Sequence, residues 1–363
     1  MRNSIKIFLS LILASNFLLA NENYTKDKIE KMIAKMVVLG FKGETVNSND
    51  QIYKNIKSGL GGVILFDKDP TDKKKIKNIK NPEQLKTLTS QLQSISKDKL
   101  LISIDQEGGI VQRMSASNGF VDTLKARDIS IHGKEYAKKS YNQLALMLKE
   151  NGINLNFAPV VDLAVNKNNK VIYKLARSYG SDPKKVTQFA SIFVDELKKQ
   201  NVISVLKHFP GHGSSLADSH QGFVDITNTW NKIELEPYKE FIKNNKVDMI
   251  MTAHVFNKNL DENYPATLSE KINTKLLRQK LGFKGVLITD DLQMYAISKH
   301  YDLKETLTLA INSGVNMLLF ANQQAKEVKL EDIVKTVYSQ ILNEEISLSS
   351  IIESNKKIEE LLK

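Results

Sequence analysis

The 363-residue sequence predicts a (β/α)8 TIM-type barrel, an α/β architecture in a single catalytic domain. Three observations predict it. Eight short apolar runs recur along the chain, amphipathic stretches of helical period separate them, and polar motifs follow the runs at the same end. Strand and helix in alternation give a parallel sheet wrapped by helices, and enzymes on such barrels carry their chemistry at the carboxyl ends of the strands. A doubly wound open sheet is the alternative, because a strand count wrong by one or two changes how the sheet closes.

Taken in order, the chain opens with "MRNSIKIFLSLILASNFLLANENYTKD". A basic start (Arg2, Lys6) and an apolar run from Ile7 to Ala20 precede small and polar residues, the pattern of a secretory signal peptide cut after Ala20. Leu18 is large for the position three before the cut, and a retained membrane anchor is the competing reading. The expected division is therefore 1–20 signal peptide and 21–363 barrel domain, with no membrane span once the signal is removed. The strand-like runs are 36–42, 61–66, 100–104, 153–160, 202–206, 247–251, 285–289 and 316–320. Helical patterns include "PEQLKTLTSQLQSI", "DPKKVTQFASIFVDELKKQ" and "DLKETLTLAINSG", the last with Asp302 at an N-cap and Gly314 at its carboxyl end. The stretch from Val328 to Lys363 reads as helical and polar.

Composition narrows the function classes. With 41% hydrophobic and 26% charged residues the chain has an ordinary globular balance. It contains no cysteine, which excludes disulfides and thiolate metal sites. The formal charge is +11, and losing Arg2 and Lys6 with the signal leaves +9. The excess is lysine spread along the chain, without a basic block interleaved with aromatics. That favours an acidic substrate or envelope surface over nucleic acid as partner. Only five basic residues are arginine, so Arg113 and Arg177, beside other polar loop residues, mark places that need a rigid fork of donors.

The polar motifs sit after the strands. "DQEGG" follows 100–104, "APVVDL" overlaps the end of 153–160, "KHFPGHG" follows 202–206, "TAHV" follows 247–251, "DD" follows 285–289 and "ANQQ" follows 316–320. The densest is "KHFPGHGSSLADSH", residues 207–220, with three of the six histidines. Two chemical readings compete for it. A metal site would gather His208, His212, His220, His254 and Asp290 from different strands, but Pro210 and Gly211 deny His208 and His212 a shared helical face. The acid–base reading starts from "ADSH". Asp218 and His220 flank one residue of an extended loop, so their side chains point the same way. A carboxylate on one ring nitrogen sets the tautomer and raises imidazole basicity, leaving the other nitrogen to exchange a proton near neutral pH. Asp290 is then the nucleophile candidate, while Asp291 points elsewhere and caps the next helix.

"KHFPGHGSSLADSH", "LLISIDQEGGIVQRM" and "GVLITDDLQM" resemble family 3 glycoside hydrolases, specifically single-domain β-N-acetylhexosaminidases of the NagZ type, in matching order over about residues 28 to 320. The resemblance implies that Asp290 is the nucleophile of a covalent glycosyl-enzyme. It implies that His220 protonates the leaving oxygen and then activates water, assisted by Asp218. It also implies that Asp105, Arg113, Arg177, Lys207 and His208 bind the sugar. Glu107 is expected to support the Gly108–Gly109 turn, His212 to stabilise its loop, His132 and His300 to lie at the surface, and Met294 and Trp230 to pack.

The resulting expectation is a retaining exo-β-N-acetylglucosaminidase that removes non-reducing-end GlcNAc from peptidoglycan fragments, as a monomer and with no metal or organic cofactor. The signal places it in the periplasm or outside the cell, whereas enzymes of this type commonly work in the cytoplasm. Three rivals stand beside it: a phosphorylase of the same family, a barrel metallohydrolase, and a wall-binding barrel without turnover.

Overall fold

A computed structural model describes residues 24–72, 74–216, 224–324 and 326–363; the leader 1–20, Asp218 and His220 lie outside the described residues. Eight parallel strands carry the architecture: β1 (Val37–Gly40), β2 (Gly62–Ile64), β3 (Leu101–Ile104), β4 (Leu155–Asn156), β5 (Ile203–Phe209), β6 (Met249–Thr252), β7 (Val286–Ile288) and β8 (Leu318–Phe320). Their spatial order is β7-β6-β5-β4-β3-β2-β1-β8, so sequence neighbours pair except where β1 meets β8. Ile288 at the end of β7 bridges in parallel to Met317, just ahead of β8, and brings the two edges together. The sheet is a nearly closed barrel, and the expected fold is the one present.

All eight expected runs contain a strand. The runs are almost unbroken in apolar character because helices cover the outer face while side chains fill the inner one. Val37, Val38, Val63, Leu101, Ile104 and Leu155 are accordingly buried. Two boundaries differ from expectation. β4 covers only Leu155–Asn156 of the run 153–160, since Pro159 has no N–H to give a ladder. β5 runs on to Phe209 instead of ending at Leu206, which takes Lys207 and His208 out of the loop and into the strand.

The helices start where capping chemistry places them. Asn81 accepts from Gln84 N at 2.9 Å ahead of Pro82–Ile95. Asp182 accepts from Lys184 N at 3.0 Å ahead of Pro183–Lys199, and Asp302 accepts from Glu305 N at 2.8 Å ahead of Leu303–Asn312. Each satisfies a backbone donor that the helix itself leaves open. The final stretch is two helices, Leu330–Leu342 and Leu348–Leu362, and it is less polar than expected, since Ile333, Val337, Ile351 and Ile358 are fully buried. The last helix closes the amino-terminal end of the barrel. Asn355 donates to Met32 O at 2.9 Å, Lys35 pairs with Glu359 at 3.1 Å, and Lys357 donates to Lys284 O at 2.8 Å. No helix among the described residues is long and apolar enough to cross a membrane.

Candidate active site

A cavity of about 770 Å³ opens at the carboxyl ends of the strands, and its walls include Phe66, Asp105, Arg113, Met251, Asp290 and Met294. A smaller hollow of about 340 Å³ lies beside the helix Lys26–Lys35 and is lined chiefly by lysines and apolar side chains. Asp105 and Asp290, two of the carboxylates that the sequence singles out, line the larger one, where barrel chemistry is built.

Each strand end contributes differently. Asp290 leaves β7 half-buried, and its Oδ1 accepts from the backbone N–H of Asp291 at 2.8 Å. Asp291 turns the other way. Its Oδ1 accepts from Gln293 N at 3.1 Å and from Ala321 N at 3.0 Å, tying the chain after β7 to the end of β8. The expected cap is therefore a turn cap that also bridges two strands. Behind them His254, from the end of β6, donates through Nε2 to Asp291 O at 2.8 Å; a carbonyl only accepts, so this bond sets the histidine's tautomer.

Across the cavity, β3 delivers Asp105 into a chain of charges. Lys207 on β5 bonds Asp105 Oδ1 at 2.7 Å and Glu107 Oε1 at 2.8 Å. Arg177 meets Glu107 with both prongs of its fork, Nε to Oε2 at 2.8 Å and Nη2 to Oε1 at 2.7 Å. Arg113 approaches Asp105 Oδ2 at 3.8 Å and lies over the Phe66 ring at 5.3 Å. Gln106 holds the loop in shape, its Oε1 accepting from Arg113 N at 2.9 Å and from Met114 N at 3.0 Å.

Burial alone pushes the Glu107 carboxyl upward, but Arg177 and Lys207 beside it prevail and hold it well below the usual carboxylate range. Burial opposes the charge on Lys207 too, and Asp105 and Glu107 raise it above the ordinary lysine value. The wall beneath the cavity is thus a neutralised network that stays ionised.

The third cluster lies between β4 and β5. Asp162 Oδ2 bonds His208 Nδ1 at 2.7 Å, and its Oδ1 accepts from the His212 backbone N–H at 2.8 Å. Burial favours protonation of Asp162, yet His208 and the backbone N–H of His212 hold its carboxyl down. His212 bonds Ser215 Oγ through Nδ1 at 2.7 Å and stabilises the loop as expected. Burial and the neighbouring His208 push its imidazole down to about 4.

Of the described residues named from the sequence, Asp105, Arg113 and Asp290 line the cavity. Lys207 and His208 are buried and Arg177 nearly so: Lys207 bonds Asp105, Arg177 reaches Lys207 through Glu107, and His208 pairs with Asp162. Glu107 does more than support a turn, because the turn is closed by backbone bonds from Glu107 N and Gly108 N to Val111 O while the side chain links two cations. His132 and His300 are exposed. Met294 lines the cavity, and Trp230 packs against the core. Asp162, Glu234 and Lys77 were missed. Asp162 had a usable signal, its place in "APVVDL" at a strand end, whereas Glu234 and Lys77 lie in helical or loop segments without one. Lys77 donates to Ala321 O at 3.1 Å and to Asn322 O at 2.7 Å, and burial pushes its ammonium down to about 8. Among the described residues no three histidines or carboxylates converge as a metal-binding group.

Comparison with known proteins adds the family. The glycosyl hydrolase family 3 N-terminal domain matches residues 25–361. A beta-hexosaminidase of Tolumonas auensis is 37% identical over 282 residues, covering 75% of this chain and 79% of that one. Beta-hexosaminidase A of Pseudoalteromonas piscicida is 36% identical over 285 residues, and the match spans 72% of this chain but only 45% of that longer one. The structure of a glycoside hydrolase family 3 beta-N-acetylglucosaminidase from Paenibacillus superposes with a TM-score of 0.82 at 31% identity, covering 92% of this chain and 61% of that one. A barrel with carboxylates gathered at its carboxyl-end cavity, matched by one family over nearly its whole length, leads to one conclusion: the chain belongs to glycosyl hydrolase family 3 and is a glycoside hydrolase.

Proposed function

We propose that the protein is a retaining exo-β-N-acetylglucosaminidase that removes non-reducing-end GlcNAc from peptidoglycan fragments through a glycosyl–Asp290 intermediate. The observation that carries the reading is Asp290 at the cavity wall, delivered by a buried strand, with the Asp105 carboxylate lining the same cavity. The names of the relatives, beta-hexosaminidase and beta-N-acetylglucosaminidase, support the sugar.

In the first step an Asp290 oxygen bonds to the anomeric carbon as the glycosidic C–O bond breaks, and His220 gives its proton to the departing oxygen. In the second step His220 takes a proton from water, the hydroxide attacks the anomeric carbon, and the Asp290 ester bond breaks to restore the carboxylate. Two displacements at one carbon retain the configuration. Asp218 orients the His220 imidazole, and that imidazole takes the place of the acid–base carboxylate usual in glycosidases. Asp105 accepts from sugar hydroxyls and Arg113 donates to them. Lys207 and Arg177 keep the wall ionised beneath these contacts, and His208 is held by Asp162 on the neighbouring strand ends. The basic surface suits fragments bearing lactyl and peptide carboxylates. Export with cleavage after Ala20 belongs to the same proposal, supported by Arg2, Lys6 and the apolar run; mature protein from the host should begin at Asn21, and an intact Met1 in the cytosol would contradict it.

A leaving-group series tests the mechanism. Asp290→Asn should abolish turnover of every substrate. His220→Ala should lose most on a GlcNAc disaccharide and least on a nitrophenyl glycoside, whose phenolate departs without a proton, with Asp218→Ala a milder copy. Equal loss on both substrates, or recovery with zinc, would remove His220 from the proton shuttle. Sugar phosphate formed in phosphate buffer would replace hydrolysis by phosphorolysis.

A further inference from the structure

We propose that Glu234 is a positioning residue for the acid–base step, its buried carboxyl anchoring the root of the segment that carries Asp218 and His220. The inference rests on the assignment of His220 as the proton shuttle.

Glu234 lies in the short helix Lys232–Leu235, placed by Asn231, whose side chain accepts from Ile233 N at 3.0 Å. It is 1% exposed, and its Oε2 accepts from the backbone N–H of Gly213 at 2.9 Å. Two glycines permit this approach. A Cβ at Gly211 would lie 2.9 Å from Glu234 Oε2, and one at Gly213 would lie 1.7 Å from Leu163 O. Trp230, in the preceding turn, donates from Nε1 to Pro210 O at 3.1 Å. From the opposite side Asp162 accepts from His212 N, and Asn169 donates to His212 O at 2.8 Å and to Gly213 O at 3.1 Å. Residues 210–215 are therefore gripped on both sides a few residues before Asp218. The grip fixes the point from which the chain runs on, in sequence, to Asp218 and His220.

One feature separates Glu234 from a plain buttress. Its buried carboxyl takes hydrogen bonds from Gly213 and Ser214, but no cation is among the groups that act on it. A buried carboxyl without a cationic partner favours the protonated acid. Burial, with Asp162 adding to it, pushes the Glu234 carboxyl from the ordinary 4.5 up to about 7, against the opposing pull of Ser214 and the Gly213 N–H. The titratable groups around it are Asp162 at the end of β4, His212 on the loop and Tyr238 on the helix Glu236–Lys243. The anchor thus changes charge in the range where an imidazole shuttle works.

Trp230 is the sole tryptophan, so its emission reports this root directly. In the full chain its fluorescence should step with a midpoint near pH 7, and the step should vanish in Glu234→Gln, whose amide oxygen still accepts from Gly213 N but cannot titrate. Glu234→Ala, which removes the acceptor, should lower kcat on a GlcNAc disaccharide about tenfold, the scale of a small misplacement of a reacting group. KM should be unchanged, and the nitrophenyl glycoside should lose less. Glu234→Gln should recover part of the kcat lost in Glu234→Ala. A fluorescence step that persists in Glu234→Gln overturns the inference, and so does wild-type kcat in Glu234→Ala alongside a leaving-group-dependent His220→Ala. Should His220→Ala itself lose equally on both substrates, the shuttle assignment has failed instead, and the inference falls with it.

Discussion

Glu107 accepts from Arg177 and Lys207 inside the wall of the cavity, and Lys207 carries the connection on to Asp105. A buried carboxylate in such a chain is stable only while its partners stay, because removing one leaves an uncompensated charge in a poorly solvating place. Arg177→Met should therefore cost about 3 kcal/mol of unfolding free energy in urea titrations. Arg177→Lys keeps the charge but loses the planar fork. It should cost less stability, yet lower kcat/KM by about tenfold, since the loss of a charged hydrogen bond reaches Asp105 through Lys207. Kinetics and stability both equal to wild type would detach Arg177 from the site. The importance of Arg177 was legible, because arginine is scarce in this lysine-rich chain. Its partner was not. Glu107 looks like turn support within "DQEGG", and its two cations lie about seventy and a hundred positions away, so only the packing of β3 against the chain after β4 and β5 reveals them.

At the scale of elements, caps and periodicity were good guides. The helix Pro183–Lys199 begins one residue after Asp182, with proline at its first position and Asp182 accepting from Lys184 N. Asp182→Ala should cost about 1 kcal/mol, read by calorimetry, without altering KM, because the exposed cap satisfies a backbone donor and is not among the residues lining the cavity. A loss within error would show that water replaces the cap. The strand ends were less legible. β5 continues through Lys207 and His208 because β6 pairs with it as far as Phe209 against Thr252, and a polar, proline-ended segment gives no apolar signal that pairing continues. The long polar-looking tail had the opposite fault. Its buried isoleucines are diluted by exposed lysines and glutamates, as on any helix that covers a barrel with one face.

For the whole molecule, opposing titrations shape the response to pH. His212, pushed down to about 4 from 6.5, contributes stability that is present above pH 6.5 and lost as the pH falls toward 4. Glu107 and Asp162, both held low, add losses in more acidic solution. Glu234, raised to about 7, works the other way, since the folded state keeps a proton that the unfolded chain releases above 4.5, and stability is lost as the pH rises to 7. The wild-type Tm should thus be nearly flat from pH 4.5 to 6.5 and fall below it, while Glu234→Gln should climb through that window. Identical curves would remove Glu234 from the balance. The sequence by itself determined the barrel, the strand count, the carboxyl-end location of the polar motifs and the family, because periodicity, caps and short motifs are local properties of the chain. The tertiary structure decided which charges meet. It set Asp105, Arg113 and Asp290 around one cavity, buried Lys207, Arg177 and His208 against carboxylate partners, and brought Glu234 beneath Gly213. Those pairings join residues from separate strands and loops, and the cost of burying a charge alone makes each depend on a partner that only closure of the barrel supplies.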